Sequence, residues 1–100
     1  MELSNKIATL LQFAYRAGKL YFGESNIIKM MSNQVKILVV AKDVSPSQEK
    51  KYLSKAEFYN VRVIRYLSKE DLGALFGKNE VACVGISDAN MAKEIKRLSE

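Results

Sequence analysis

Gly23-Glu24-Ser25-Asn26-Ile27-Ile28-Lys29 is the stretch of this sequence whose residue types and spacing best suit chemistry on another molecule. It sets a glycine, two small polar side chains and a lysine at the start of a helix. A first helical turn carries unsatisfied backbone N–H groups and the positive end of the helix dipole, so it favours phosphate oxygens or the acceptors on base edges. The Asn26 carboxamide can donate and accept, which suits a purine edge. Lys29, one turn beyond Ser25 and Asn26, reaches a phosphate or a guanine acceptor. The same residues also fit plain helix capping by Ser25 or Asn26 with Lys29 in solvent, and spacing alone does not separate the two.

Other chemistries find little support. The chain contains no histidine, which removes the usual neutral-pH acid–base group, any Ser-His-Asp or Cys-His pair, and histidine metal sites. Its one cysteine, Cys83, can form neither an internal disulfide nor a structural zinc site. The apolar run Val81-Ala82-Cys83-Val84 favours a small buried hydrophobe there over a reactive thiol. Gly18 through Ser25 comes close to a GxxxxGK[ST] phosphate loop, but Glu24 replaces the lysine and a helix precedes the segment where that loop needs a strand. Gly73 and Gly77, spaced as GxxxG, read as close packing or a cap. No carboxylates cluster by spacing, so an enzyme is the weaker reading.

These residues need elements to hold them, and the pattern supplies nine. Ile7, Leu10, Leu11 and Ala14 mark an amphipathic helix over 4–17, with Ser4 as its N-cap and Gly18 just past its end. Leu20-Tyr21-Phe22 is a short strand ending at Gly23. A second helix fits 24–33 with Ile27, Ile28 and Met31 inward. Lys36 to Ala41 is a strand buried on both faces. Ser45, Pro46 and Gln48 make a capping box for a helix whose inner face holds Tyr52, Leu53, Ala56 and Tyr59, stopping at Asn60. Residues 61–66 form a strand, and Ser68 and Asp71 open a short helix closed by Gly77. Val81 to Ile86 is a last buried strand, and Asp88 caps a terminal helix with Met91, Ala92, Ile95 and Leu98 on one face. This alternation predicts an α/β fold, a three-layer α/β/α sandwich around a mixed four-stranded sheet, as one domain over residues 1–100.

Composition agrees with a soluble globular chain: 100 residues, 48% hydrophobic and 27% charged, with one proline and five glycines. No apolar run approaches the roughly 20 residues a membrane span needs, and no secretory leader is visible. A cytosolic location is expected. Sixteen basic residues against eleven acidic ones give a formal charge of +5, and the pI is near 9.4. Residues 1–67 hold all of the excess and 68–100 are slightly acidic. One-sided basic charge is the footprint of a polyanion binder.

Several motifs together carry a resemblance: Arg16-Ala17-Gly18-Lys19-Leu20, Gly23 with Lys29, Ile37 through Pro46, and Leu72-Gly73 with Gly77. In order and spacing the chain resembles the ribosomal protein L-seven-Ae/L-thirty-e family of kink-turn RNA-binding proteins, and within it the small bacterial YlxQ-like branch. The resemblance implies an α/β/α sandwich that inserts the start of its second helix into the groove of a sharply bent RNA, beside sheared G·A pairs. The family pattern there is glycine, any residue, asparagine, glutamate, and a lysine three positions on. Gly23 and Lys29 match it, while Ser25 stands where asparagine is usual and Asn26 where glutamate is usual. An amide only partly reproduces the glutamate's acceptor to a guanine. The resemblance also implies that Lys42 approaches the RNA backbone and that Glu80, Val81 and Ala82 pack against an extruded nucleotide; a simple strand start fits 80–82 equally well. The expectation is a non-catalytic, ribosome-associated protein that stabilises kink-turn-like RNA. It is expected to be monomeric, without cofactor, metal, membrane or small-molecule substrate. The alternative is a protein-interaction module on the same scaffold, with Tyr15, Tyr21 and Phe22 as partly exposed anchors.

Overall fold

The helices Pro46–Phe58, Lys69–Ala74 and Ala89–Ser99 start where the sequence punctuates them. A computed structural model describes residues 2–100, with side chains from Lys6 onward. Helix α1 runs Glu2–Arg16, followed by β1 (Leu20–Phe22), α2 (Ser25–Met31), β2 (Ile37–Val40), α3 (Pro46–Phe58), β3 (Arg62–Arg65), α4 (Lys69–Ala74), β4 (Cys83–Ile86) and α5 (Ala89–Ser99). The Ser45 hydroxyl accepts from the Gln48 N–H, and the Gln48 side chain accepts from the Ser45 N–H, so both halves of the capping box are made. Ser68 accepts from the Asp71 N–H at 3.0 Å and Asp88 from the Met91 N–H at 2.9 Å. Ser4, expected to cap α1, sits inside its first turn, and its side chain lies outside the described residues.

The four strands form one sheet in the order β1-β4-β2-β3. β4 pairs antiparallel with both β1 and β2, and β2 pairs parallel with β3 across the α3 connection. Both central strands are buried at every position, as covering on two faces requires. Alternate residues divide between the faces. Ile37, Val39, Ile64, Val84 and Ile86 pack under α1, α4 and α5 against Leu11, Leu72, Phe76 and Ile95. Leu38, Val40 and Cys83 pack under α2 and α3 against Met30, Tyr52 and Ala56. The layered α/β/α arrangement expected from the alternation is therefore present.

Helix α2 corrects the sequence reading. It was expected to bury Ile27, Ile28 and Met31, but Ile28 and Met31 are 66% and 59% exposed, while Asn26 and Met30 are buried. Ile27 is half-buried. The helix is only seven residues long, and its four apolar residues cover both sides. The fit of Asn26 against the sheet, described below, settles which side faces in. The two GxxxG glycines do different work. A Cβ on Gly73 would meet the backbone of Lys78 and Glu80 at 2.9 Å, whereas Gly77 turns the chain at φ +71°.

Candidate nucleic-acid interface

The segments singled out in the sequence meet at one end of the sheet. Gly23 follows β1, Lys42 follows β2, and residues 80–82 precede the antiparallel β4, so strand direction alone gathers them. Backbone bonds stitch them together: Gly23 N–H donates to Cys83 O at 3.0 Å, and Ala41 N–H donates to Ala82 O at 2.8 Å. Lys42 N–H donates to Leu67 O at 2.8 Å, and Asp43 Oδ1 accepts from Lys69 N–H at 2.7 Å. Leu67 holds φ +61°, a backbone that a side-chain-bearing residue adopts at a cost of about 1–3 kcal/mol. The bond from Lys42 helps to fix it.

Asn26 is not where its sequence position suggests. It is fully buried, so it presents no edge to a base. Its Nδ2 donates to Gly23 O at 2.9 Å and Tyr21 O at 3.1 Å, and lies 3.7 Å from Cys83 Sγ. The carboxamide rests on Gly85 of β4, where an added Cβ would come within 1.9 Å of Asn26 Oδ1. That oxygen has no hydrogen-bond partner. Asn26 therefore holds the β1–α2 turn onto the sheet. The first turn also offers fewer open donors than expected, because Asn26 N–H and Ile27 N–H already donate to Gly23 O and Glu24 O. Glu24, at the N-cap position, makes no side-chain cap, and Ser25 Oγ donates back to Phe22 O at 2.6 Å. Neither Ser25 nor Asn26 accepts from the helix start as an ordinary cap would.

Beneath the turn lies a small neutral polar cluster. Cys83 Sγ faces Gly23 O at 3.6 Å and bonds with the Tyr52 hydroxyl. Burial pushes the thiol up to about 12. Burial, and then the neighbouring Cys83, raises Tyr52 as well. Both stay protonated at neutral pH, in line with the structural reading of Cys83.

Exposed chemistry at this end is basic and aromatic. Lys29, half-buried, sits 5.2 Å over the Tyr21 ring, and Lys78 sits 4.7 Å over the Phe22 ring. Lys42 is exposed. Glu24 is tied to Lys51 at 2.7 Å, which masks the carboxylate closest to the turn. Glu80 is exposed, Ala82 half-buried, and Val81 buried, with its N–H on Lys69 O at 3.0 Å. Of the residues expected at the site, Gly23, Lys42, Glu80 and Ala82 lie at this end of the sheet, Ser25 and Lys29 follow on α2, and Val81 is buried. Lys78 was missed. Its signal was available: a lysine directly after the turn glycine Gly77, in the loop that leads to residues 80–82.

The anchors named in the alternative reading are mostly occupied with one another. Tyr15, Phe22 and Phe76 pack edge to face with centroids 5.2–5.4 Å apart, and Tyr21 donates to Gln34 at 3.0 Å. Among the described residues no group of histidine, cysteine or carboxylate side chains could hold a metal, and no helix is long and apolar enough to cross a membrane.

The chain and its fold have relatives among known proteins. Residues 5–96 match the family described as ribosomal protein L7Ae/L30e/S12e/Gadd45. The chain is 35% identical over 96 residues to the RNA-binding protein YlxQ of Enterococcus faecium, covering 95% of this chain and 92% of that one. It is 32% identical to the large ribosomal subunit protein eL8 of Thermoplasma volcanium, covering 94% of this chain and 79% of the other. Among solved structures, a Bacillus halodurans protein described as of unknown function superposes with a TM-score of 0.87 at 29% identity, over 93% of this chain and 95% of its own. A Giardia lamblia 15.5kD RNA binding protein shares the fold, with a TM-score of 0.78 at 16% identity over 98% and 91% of the two chains. By a match across nearly its whole length and by these relatives, the chain belongs to the ribosomal protein L7Ae/L30e/S12e/Gadd45 family.

Proposed function

We propose that this chain is a small RNA-binding, ribosome-associated protein that grips a kink-turn or similarly bent RNA at the sheet end carrying Gly23, Lys42 and residues 80–82. It acts in the cytoplasm as a non-catalytic monomer, one domain over residues 1–100. The observation that carries the reading is the convergence of those three segments, joined through Gly23 N–H to Cys83 O and Ala41 N–H to Ala82 O, in a chain whose relatives are described as RNA-binding and ribosomal proteins. With Asn26 turned inward, Lys29, Lys42 and Lys78 supply phosphate contacts, and Ser25 supplies the hydroxyl nearest the groove. Ala82, with Val81 behind it, offers an apolar seat for an unstacked nucleotide. Recognition then rests on backbone shape more than on a bidentate base contact, each of which discriminates by about 1–3 kcal/mol. Affinity is correspondingly salt-sensitive.

The test is binding to a kink-turn RNA against a straight duplex, for the wild type, Lys29→Ala and Lys42→Ala. Both lysines are at least partly exposed, so the variants keep the fold. The wild type is expected to prefer the bent RNA by about tenfold or more, and each variant to lose most of that preference. Equal affinity for both RNAs, unaltered by either substitution, contradicts the reading. Exposed Ile28, Met31 and Phe58 favour the second reading, a protein partner on α2 and α3. Co-purification that survives nuclease treatment of the lysate and is lost in Ile28→Glu would support it.

A further inference from the structure

Folding gathers four cations from three distant stretches of the chain. Lys36, Arg62, Lys93 and Lys96 line a single groove of about 240 Å³, bounded also by Ile37, Ala89 and Ala92. All four are exposed. The groove lies at the opposite end of the sheet from Gly23 and Lys42: Ile37 and Arg62 are partners at the start of the parallel strands, and Lys42 comes after the far end. Lys36 Nζ donates to Asn33 O at 3.2 Å, which steadies it.

Carboxylates do little to neutralise this cluster. Glu100 reaches Arg62 at 3.8 Å, with both side chains about half exposed, a pairing worth little in water. Glu94, on the adjoining face of α5, is engaged by Arg97. Lys36, Lys93 and Lys96 have no carboxylate partner among the described residues. Like charges crowded into one groove repel each other in the free protein and strengthen the field on any anion that enters. The cations come from β3, from α5 and from the turn before β2 and so suit anions repeated along a line. The phosphodiester backbone has that chemistry, and the groove offers a base edge nothing to read.

We propose that this groove is a second nucleic-acid contact, taking the phosphate backbone of an RNA segment other than the one held at the Gly23 end. The chain then bridges two RNA segments. That the polyanion is RNA rests on the function proposed above; the groove's affinity for a polyanion does not.

The experiment measures binding of a bent RNA and of a short straight RNA duplex, separately and together, across a salt series. The proteins are the wild type, the double variant Lys93→Gln with Lys96→Gln, and Lys29→Ala. The wild type is expected to form a ternary complex with both RNAs. The double variant should bind the duplex about tenfold more weakly, its log–log salt slope should fall by about 2, and its grip on bent RNA should persist. Lys29→Ala should show the converse. An unchanged melting temperature confirms that the glutamines leave the fold intact. Duplex affinity and slope unaltered in the double variant overturn the proposal, as does a poly-glutamate peptide that binds as tightly as the duplex. If the wild type ignores the bend yet the duplex loss still tracks Lys93 and Lys96, the function proposed above fails and the groove stands.

Discussion

Asn26 was expected to present its amide to a base edge, and folding buries it against the sheet instead. Its carboxamide was legible as important because it sits at a helix start between a turn glycine and a lysine. Its direction was not, because spacing cannot reveal that the facing strand carries a glycine at position 85. The pairing makes a specific prediction. Asn26→Ala removes two side-chain hydrogen bonds, to the carbonyls of Tyr21 and Gly23, and should cost about 1–3 kcal/mol. Gly85→Ala drives a Cβ to within 1.9 Å of Asn26 Oδ1 and should cost a similar amount through overpacking. In the double variant the new methyl gains the space the amide leaves, so denaturant unfolding should show a combined loss smaller than the sum by about 1 kcal/mol. Strict additivity would mean the two side chains do not share that space. Cys83 makes a second prediction. With its folded value near 12 and its unfolded value near 9, the native state holds the proton through that window while the unfolded state releases it. The thiol's contribution to stability is thus complete below about pH 9 and is lost as pH rises toward 12. Unfolding measured from pH 7 to 11 should show an alkaline decline that is shallower in Cys83→Ala, and native protein at pH 8 should resist thiol alkylation.

At the scale of elements, the strands, the caps of α3, α4 and α5 and the order of elements could be read directly. The Ser45-Pro46-Gln48 start, the Ser68 and Asp88 caps and the left-handed turns at Gly18 and Gly77 each act locally, so each is written in adjacent residues. Strand ends were less clear: residues 81 and 82 continue the apolar run but lie ahead of β4, where their backbone bonds go to Lys69 and Ala41. The phase of α2 was not legible, because Ile27, Ile28, Met30 and Met31 surround a helix of two turns. Burial of Asn26 chooses between the faces, and that choice is tertiary. Substitution tests it: Met30→Ala should cost about 2–5 kcal/mol. Ile28→Gln and Met31→Gln should each stay within about 0.5 kcal/mol of wild type in chemical denaturation. Large losses from the glutamines would restore the face read from periodicity.

Across the whole molecule, the charge count pointed to a polyanion partner but not to where folding would bring the cations together. Residues 68–100 are slightly acidic in sum, yet Lys93 and Lys96 of that segment join Lys36 and Arg62 in one cationic groove. Segment totals ignore which elements the fold lays side by side. The site end was more legible, because a resemblance spanning the chain named segments that strand direction then brought together. In the proposed function, folded RNA docks where β1, β2 and the approach to β4 meet. Backbone amide chemical shifts recorded while a kink-turn RNA is titrated into the labelled protein examine that claim residue by residue. The largest changes should fall on Gly23, Ser25, Lys29, Lys42 and Ala82, with α3 nearly silent. Changes centred instead on Ile28, Met31 and Phe58, or none at saturating RNA, would contradict it.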